Sequence, residues 1–207
     1  MSRFFKLLPL VGVLLASCGQ GFDVDVQEEL LEMALMDQEV RERADELLDG
    51  PSGSKEELKA AVEEEDRVDS RNFTKLETIV AEYGWPGRQL VGPEAASAAL
   101  IVLQHADVED QRRYLPLLQA AAAEGEIAAA DVARLEDGIR QGEGKSQIYG
   151  TRVVSDIRGQ PELYRIEDPK NLDERREAVG LPPIAEQLKQ LKVEFGMPVG
   201  RGNLPPE

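Results

Sequence analysis

Read for the spacing of its apolar positions, the chain is a succession of helices. The run DVQEELLEMALMDQEVRERADELL (25–48) places Leu30, Ala34, Asp37, Arg41, Ala44 and Leu48 near one stripe, with Leu31, Leu35 and Leu47 widening it. Asp37 and Arg41 stand four residues apart, the spacing of a surface ion pair on a helix. DGPSGS at 49–54 is a breaker, and residues 49–66 read as a short polar helix or a mobile insert. A better-formed helix follows. Asp69 or Ser70 can cap it, Phe73, Leu76, Val80 and Tyr83 make its stripe, and Gly84 sits where a helix C′ residue belongs. Pro93 opens the next helix, which runs to His105 with Ala98, Ile101, Val102 and His105 on one face.

Asp107 is placed to cap a fourth helix with Val108, Gln111, Leu115, Leu118 and Ala122 inward. Pro116 should kink or divide it. Ala128, Val132, Leu135 and Ile139 mark a fifth. The period then changes. QIYGTRVV and ELYRIE alternate around the turn-rich SDIRGQP, the pattern of a β-hairpin. Two helical pieces broken by Gly180, Pro182 and Pro183 lead to a loose tail at 196–207. The expectation is a mainly α fold: a compact bundle of about six or seven helices with one small β-hairpin, forming a single domain over 25–195.

Composition narrows the partners. Among 207 residues, 40 acids face 24 lysines and arginines, for a net charge of −16. Phosphate recognition is driven by basic side chains and counterion release, so nucleic acid is excluded as a partner. No basic patch suits anionic lipid. Long acidic runs read as solvated helix faces, and no calcium-loop pattern appears. No cofactor is implied.

The N-terminus carries the sharpest signal. MSRFFKLLPLVGVLLASCGQ has basic residues at Arg3 and Lys6 and an apolar stretch from Leu7 to Ala16. That stretch is too short to span a bilayer as a helix and reads as an export signal over 1–17. LLASCG resembles the lipobox of bacterial lipoproteins, which implies cleavage before Cys18, lipidation of its thiol, and a tether over 18–24. The partner so implied is the membrane, reached through the lipid on Cys18. Two or more acyl chains at ~0.8 kcal/mol per buried CH₂ hold a protein there stably. Gly19 after the cysteine leans, by the same resemblance, towards the outer membrane of a Gram-negative cell. Cys18 is the only cysteine, so no internal disulfide forms.

Candidate chemistry is sparse. His105 is the only histidine and has the pKa range of a general base. Glu136 and Asp137 are carboxylate candidates to orient it, whereas Asp107, two residues on, can reach it only if the helix ends at 105 or 106. The competing reading is a histidine at a helix C-terminus that bonds a terminal carbonyl. A metal site is poor on ligand count and is not expected. GKSQIYGT lacks the phosphate-loop spacing, but Gln147, Tyr149 and Thr151 alternate onto one strand face suited to recognition. Trp85, after a helix-ending glycine, is a core plug or a pocket wall. A binding site would therefore draw on Trp85, Gln104, His105, Gln147, Tyr149 and Thr151.

The strings YGWP (83–86), LQHAD (103–107), LPLLQAA (115–121), RLEDGI (134–139), GKSQIYGT (144–151) and RREAVGL (175–181) come in a definite order. In that order the chain, over roughly 27–190, resembles a bacterial family that carries only a domain-of-unknown-function label. The resemblance implies domain bounds and no activity. The family pattern more often has Gln where this chain has Arg152, and Arg where it has Gly138, so a pocket lined by either position is altered here.

Three functions fit these residues. The first is a lipid-anchored extracytoplasmic binding or interaction module for a small-molecule or protein ligand. The second is an enzyme using His105 with a carboxylate, and the third a structural envelope protein. Geometry separates them. A His105 ring nitrogen within ~3 Å of a carboxylate in an open cleft favours chemistry. A ring bonded only to a backbone carbonyl removes that option.

Overall fold

The computed structural model describes residues 22–49, 54–155 and 161–195. The signal, Cys18 and most of the tether, the tip of the hairpin and the tail lie outside these. Seven α-helices and one two-stranded sheet make up the described residues, a mainly α fold with a small hairpin. No helix among them is long and apolar enough to cross a membrane.

Helix α1 (Val24–Asp49) packs on α2 (Lys55–Tyr83) and α3 (Arg88–His105). Its inward face is Val26, Leu30, Met33, Asp37 and Ala44, while Leu31, Leu35 and Leu48 are exposed. The stripe is thus rotated from the expected one towards Met33. Helix α2 runs unbroken where a break before residue 69 was expected. Its start is fixed at Ser54, whose hydroxyl accepts from Glu57 N (3.1 Å) while the Glu57 carboxylate accepts from Ser54 N (2.9 Å). This reciprocal cap satisfies two donors that a helix start leaves free. Gly84 ends α2 at φ 76°, as its spacing predicts.

Helix α3 is interrupted at Gly92 (φ 80°, ψ 163°), a conformation open to glycine, and resumes at Pro93. It is buried nearly all round through Val91, Ala95, Ala96, Ala98, Ala99, Val102 and Leu103, so it forms the centre of the core. Ile101, expected inside, is exposed. Trp85 plugs this core and is buried.

Helix α4 (Val108–Ala123) continues across Pro116 as one element and packs on α5 (Ala129–Gly142). The strands are shorter than expected. β1 (Val153–Ser155) pairs antiparallel with β2 (Pro161–Leu163), Val153 opposite Leu163. A short 3₁₀ turn (Pro169–Asn171), α6 (Leu172–Ala178) and α7 (Ile184–Phe195) close a second, small apolar cluster of Leu163, Leu172 and Ile184.

Candidate functional site

His105 is the last residue of α3, and its partner comes from α1. Nδ1 lies 2.8 Å from Asp37 Oδ1, across 68 residues of sequence. Asp37 is buried, whereas the imidazole is partly open, with 29% of its side chain exposed. A carboxylate only accepts, so this contact places the proton on Nδ1 and leaves Nε2 of a neutral ring as the acceptor. Asp37 also accepts from Arg41 Nε (3.1 Å), and Arg41 Nη2 donates to both oxygens of Asp69 on α2 (2.8 and 2.9 Å). A continuous network from His105 through Asp37 and Arg41 to Asp69 therefore stitches α3, α1 and α2 together.

Charge in this network is only partly balanced. Burial holds the Asp69 carboxyl above its usual range despite the pull of Arg41. Burial does the same to nearby Glu65, with Arg41 opposing and Asp69, Asp45 and Asp66 reinforcing it. Burial acts to lower the Arg41 pKa, but its bonds to Asp37 and Asp69 keep the guanidinium above its ordinary value. Asp37, Asp69 and His105 bring one ligand atom each within 4.8 Å of one another. Ligand count alone did not anticipate this triad. The cation nearest its carboxylates is the protein's own, since Arg41 Nη2 touches both.

Two grooves meet at His105. One, of about 710 Å³, is acidic, with Asp66, Asp69, Glu77, Asp107 and Asp110 set against a single Arg113. Arg113 is itself held by Glu77 and Asp110, each at 2.7 Å. The other, of about 600 Å³, has no carboxylate in its lining and carries Gln104, Gln111, Gln141, Arg134 and Arg152. His105 belongs to the walls of both. The corner between α3 and α4 that sets this arrangement is tied by Gln111, whose Nε2 donates to Gln104 O (2.9 Å) and Ala106 O (2.7 Å). Asp107 stands at the α4 N-cap without a side-chain cap bond.

A model of one protein family matches residues 24–200, the range that holds both grooves. The chain belongs to that family of unknown function (DUF6624). No curated protein and no solved structure matches it.

Of the catalytic and binding candidates named from the sequence, only Gln104 and His105 line these grooves. Asp137 is not a partner of His105. It is fully buried and accepts from Ile148 N (2.6 Å), Tyr149 N (3.0 Å), Thr151 N (3.0 Å) and Thr151 Oγ1 (2.9 Å). The chain wraps round this carboxylate, helped by Gly150 at φ 69°, so residues 147–151 are not a strand and present no common face. Gln147 is fully buried. Its side chain donates to Tyr164 O (2.6 Å) and Arg152 O (3.2 Å) and accepts from Arg152 N (2.8 Å). Glu136 and Tyr149 meet instead at a separate small cavity of about 230 Å³ walled by Ala122, Ala133, Val132 and Val179. Burial raises the Glu136 carboxyl. It also raises the Tyr149 phenol, and Glu136 and Asp137 push the phenol in the same direction. Trp85 lines neither groove.

Gly138 and Arg152, the two positions the resemblance set apart, both line the second groove. The Arg152 guanidinium carbon lies 3.9 Å from where a Cβ on Gly138 would stand. The spacing rules also passed over Arg176. It is fully buried and bonds Pro182 O (2.6 Å), Tyr149 O (2.5 Å) and Gln187 Oε1 (2.9 Å), and desolvation lowers its pKa. The double arginine of RREAVGL was its one sequence trace.

Proposed function

We propose that the chain is a lipid-anchored, extracytoplasmic binding module of the bacterial cell envelope, and that its ligand presents a positive charge to the acidic groove at His105. One observation carries this. The groove sets five carboxylates against one guanidinium, and a histidine fixed by a buried carboxylate stands in its wall. Opposed charges in a concave site steer and retain a cationic group. The anchor rests on the resemblance of LLASCG to a lipobox and on Cys18.

The test is a titration of the folded chain with the diamine putrescine and the monoamine butylamine, followed through the backbone amides and the His105 ring by NMR. Saturable shifts grouped at Asp69, His105 and Asp110, and lost in Asp69→Asn/Asp110→Asn, are expected. Scattered shifts that collapse at about 0.3 M salt would sink the reading, because they would mark diffuse surface attraction.

A second reading is favoured by the Asp37–His105 contact itself. A buried carboxylate that fixes the imidazole tautomer is the arrangement of a general base. In this form the enzyme uses Asp37, and not Glu136 or Asp137, to orient His105.

A further inference from the structure

We propose that the ligand is dipolar, with its cationic group in the acidic groove and a carboxylate seated on Arg152 in the neighbouring groove, so that it lies across His105. The inference rests on the acidic-groove reading and adds the second pole. Arg152 makes no ion pair with any described residue, in a chain where acids outnumber bases. Its Nε donates to Gln141 Oε1 (2.9 Å). That bond orients the guanidinium and leaves its terminal N–H groups without a carboxylate among the described residues. A planar guanidinium in that state is matched to a carboxylate fork.

The seat is built as well as charged. The Arg152 backbone is held on both sides by buried Gln147, and its carbonyl also accepts from Tyr164 N (3.0 Å). The guanidinium lies beside Gly138, at ordinary contact distance from where a Cβ there would stand. The groove lining contains no acid to compete for it, and the side-chain amides of Gln104 and the N–H groups of Gln141 make no bond to a described residue. Arg134, the other cation in that lining, is already held by Asp131 at 2.6 Å. One guanidinium with no carboxylate partner among the described residues suits a monoanion. Both grooves share His105, so one molecule can reach each pole while it contacts the imidazole.

Linked poles bind more tightly than either alone when the linker length fits the span. The probes are 4-aminobutyrate, 6-aminohexanoate and 8-aminooctanoate, with butylamine and butyrate as single-charge controls, titrated into the full chain by NMR. One amino acid length should bind at least tenfold more tightly than both controls. Arg152→Gln should reduce that length to the affinity of butylamine without changing the affinity for butylamine, and Arg152→Lys should restore part of the difference. Arg152 is exposed and its side chain makes a single bond to a described residue, so these variants leave the fold intact.

If all lengths bind like butylamine and Arg152→Gln changes nothing, the second pole is wrong and the acidic-groove reading stands. If butyrate binds in the Arg152 groove while butylamine does not bind, the acidic-groove reading falls and the dipolar ligand falls with it. Binding of neither control nor any amino acid overturns both.

Discussion

Asp137 was a catalytic candidate in the sequence and is a structural anchor in the fold, and the two roles make opposite predictions. Its side chain satisfies three backbone N–H groups and one hydroxyl, all on the segment from Ile148 to Thr151. Asp137→Ala leaves four donors without their acceptor. An orphaned buried donor costs about 1–3 kcal/mol. These donors sit on half-buried residues, where water can replace part of the loss, so the lower end applies, or about 4 kcal/mol together. That is a large share of the roughly 5–15 kcal/mol that stabilises a domain. Asp137→Asn keeps the shape and one acceptor oxygen but turns an amide donor towards other donors, so about 2 kcal/mol is expected. Thr151→Val removes the hydroxyl bond alone, for about 1 kcal/mol. Urea unfolding followed by circular dichroism should rank the parent first, then Thr151→Val, Asp137→Asn and Asp137→Ala, with unchanged slopes. The anchor reading fails if Asp137→Ala lies within 1 kcal/mol of the parent. It fails equally if Asp137→Asn keeps its unfolding midpoint but loses butylamine or putrescine binding, because the carboxylate would then belong to a site.

Glu136 gives a test in pH. Its carboxyl is raised above the ordinary 4.5, first by burial, with Arg140 opposing and Asp137 reinforcing. The folded protein therefore holds that proton more tightly than the unfolded chain, and its stability falls as pH rises from about 4.5 through the folded value. Glu136→Gln should be more stable than the parent at pH 7, by less than about 1 kcal/mol for a group that is only half buried, and indistinguishable below pH 4. A difference that stays constant across this range would remove burial as the cause. For the anchor, mass spectrometry of the chain expressed in a bacterium should find an acylated N-terminal Cys18, and Cys18→Ala should leave the membrane fraction. An unmodified thiol, or a chain that begins elsewhere, would refute the lipobox reading.

What the sequence showed and hid divides by the range of the interactions. The stripe of α5 was legible because Val132, Leu135 and Ile139 recur at helical spacing, and all are buried. On α1 the same reasoning chose Leu35 over Met33, since period alone does not say which of two adjacent apolar faces meets a neighbour. The continuity of α2 was readable in principle. Ser54 and Glu57 form an S-x-x-E capping pair, but the charged residues after it read as a short polar helix or a mobile insert. Residues 147–151 alternate like a strand, yet local periodicity has no knowledge of a carboxylate ten residues upstream that collects their N–H groups. The same blindness hid the site. His105 was singled out because it is the only histidine, but its partner Asp37 was placed in a surface pair with Arg41. That pairing is real, and it is one link in a partly buried chain to α3 and α2 that spacing along α1 could not reveal.

The energetics of that chain bear on why it exists. The layer around it holds Leu30, Met33, Leu76 and Leu103, all essentially buried in the core shared by α1, α2 and α3. Desolvating ions between such helices costs several kcal/mol per charge before their attraction is counted, and apolar replacements of similar volume are often neutral or stabilising. Burial raises the Asp69 and Glu65 carboxyls, while the bonds to Asp37 and Asp69 raise Arg41. Helix packing alone would not demand four ionisable groups in series at this level. They sit where the acidic groove and the Arg152 groove share one residue, and the last group in the series is the half-open imidazole of that residue. The network therefore holds the imidazole of His105, the residue both grooves share, by Nδ1.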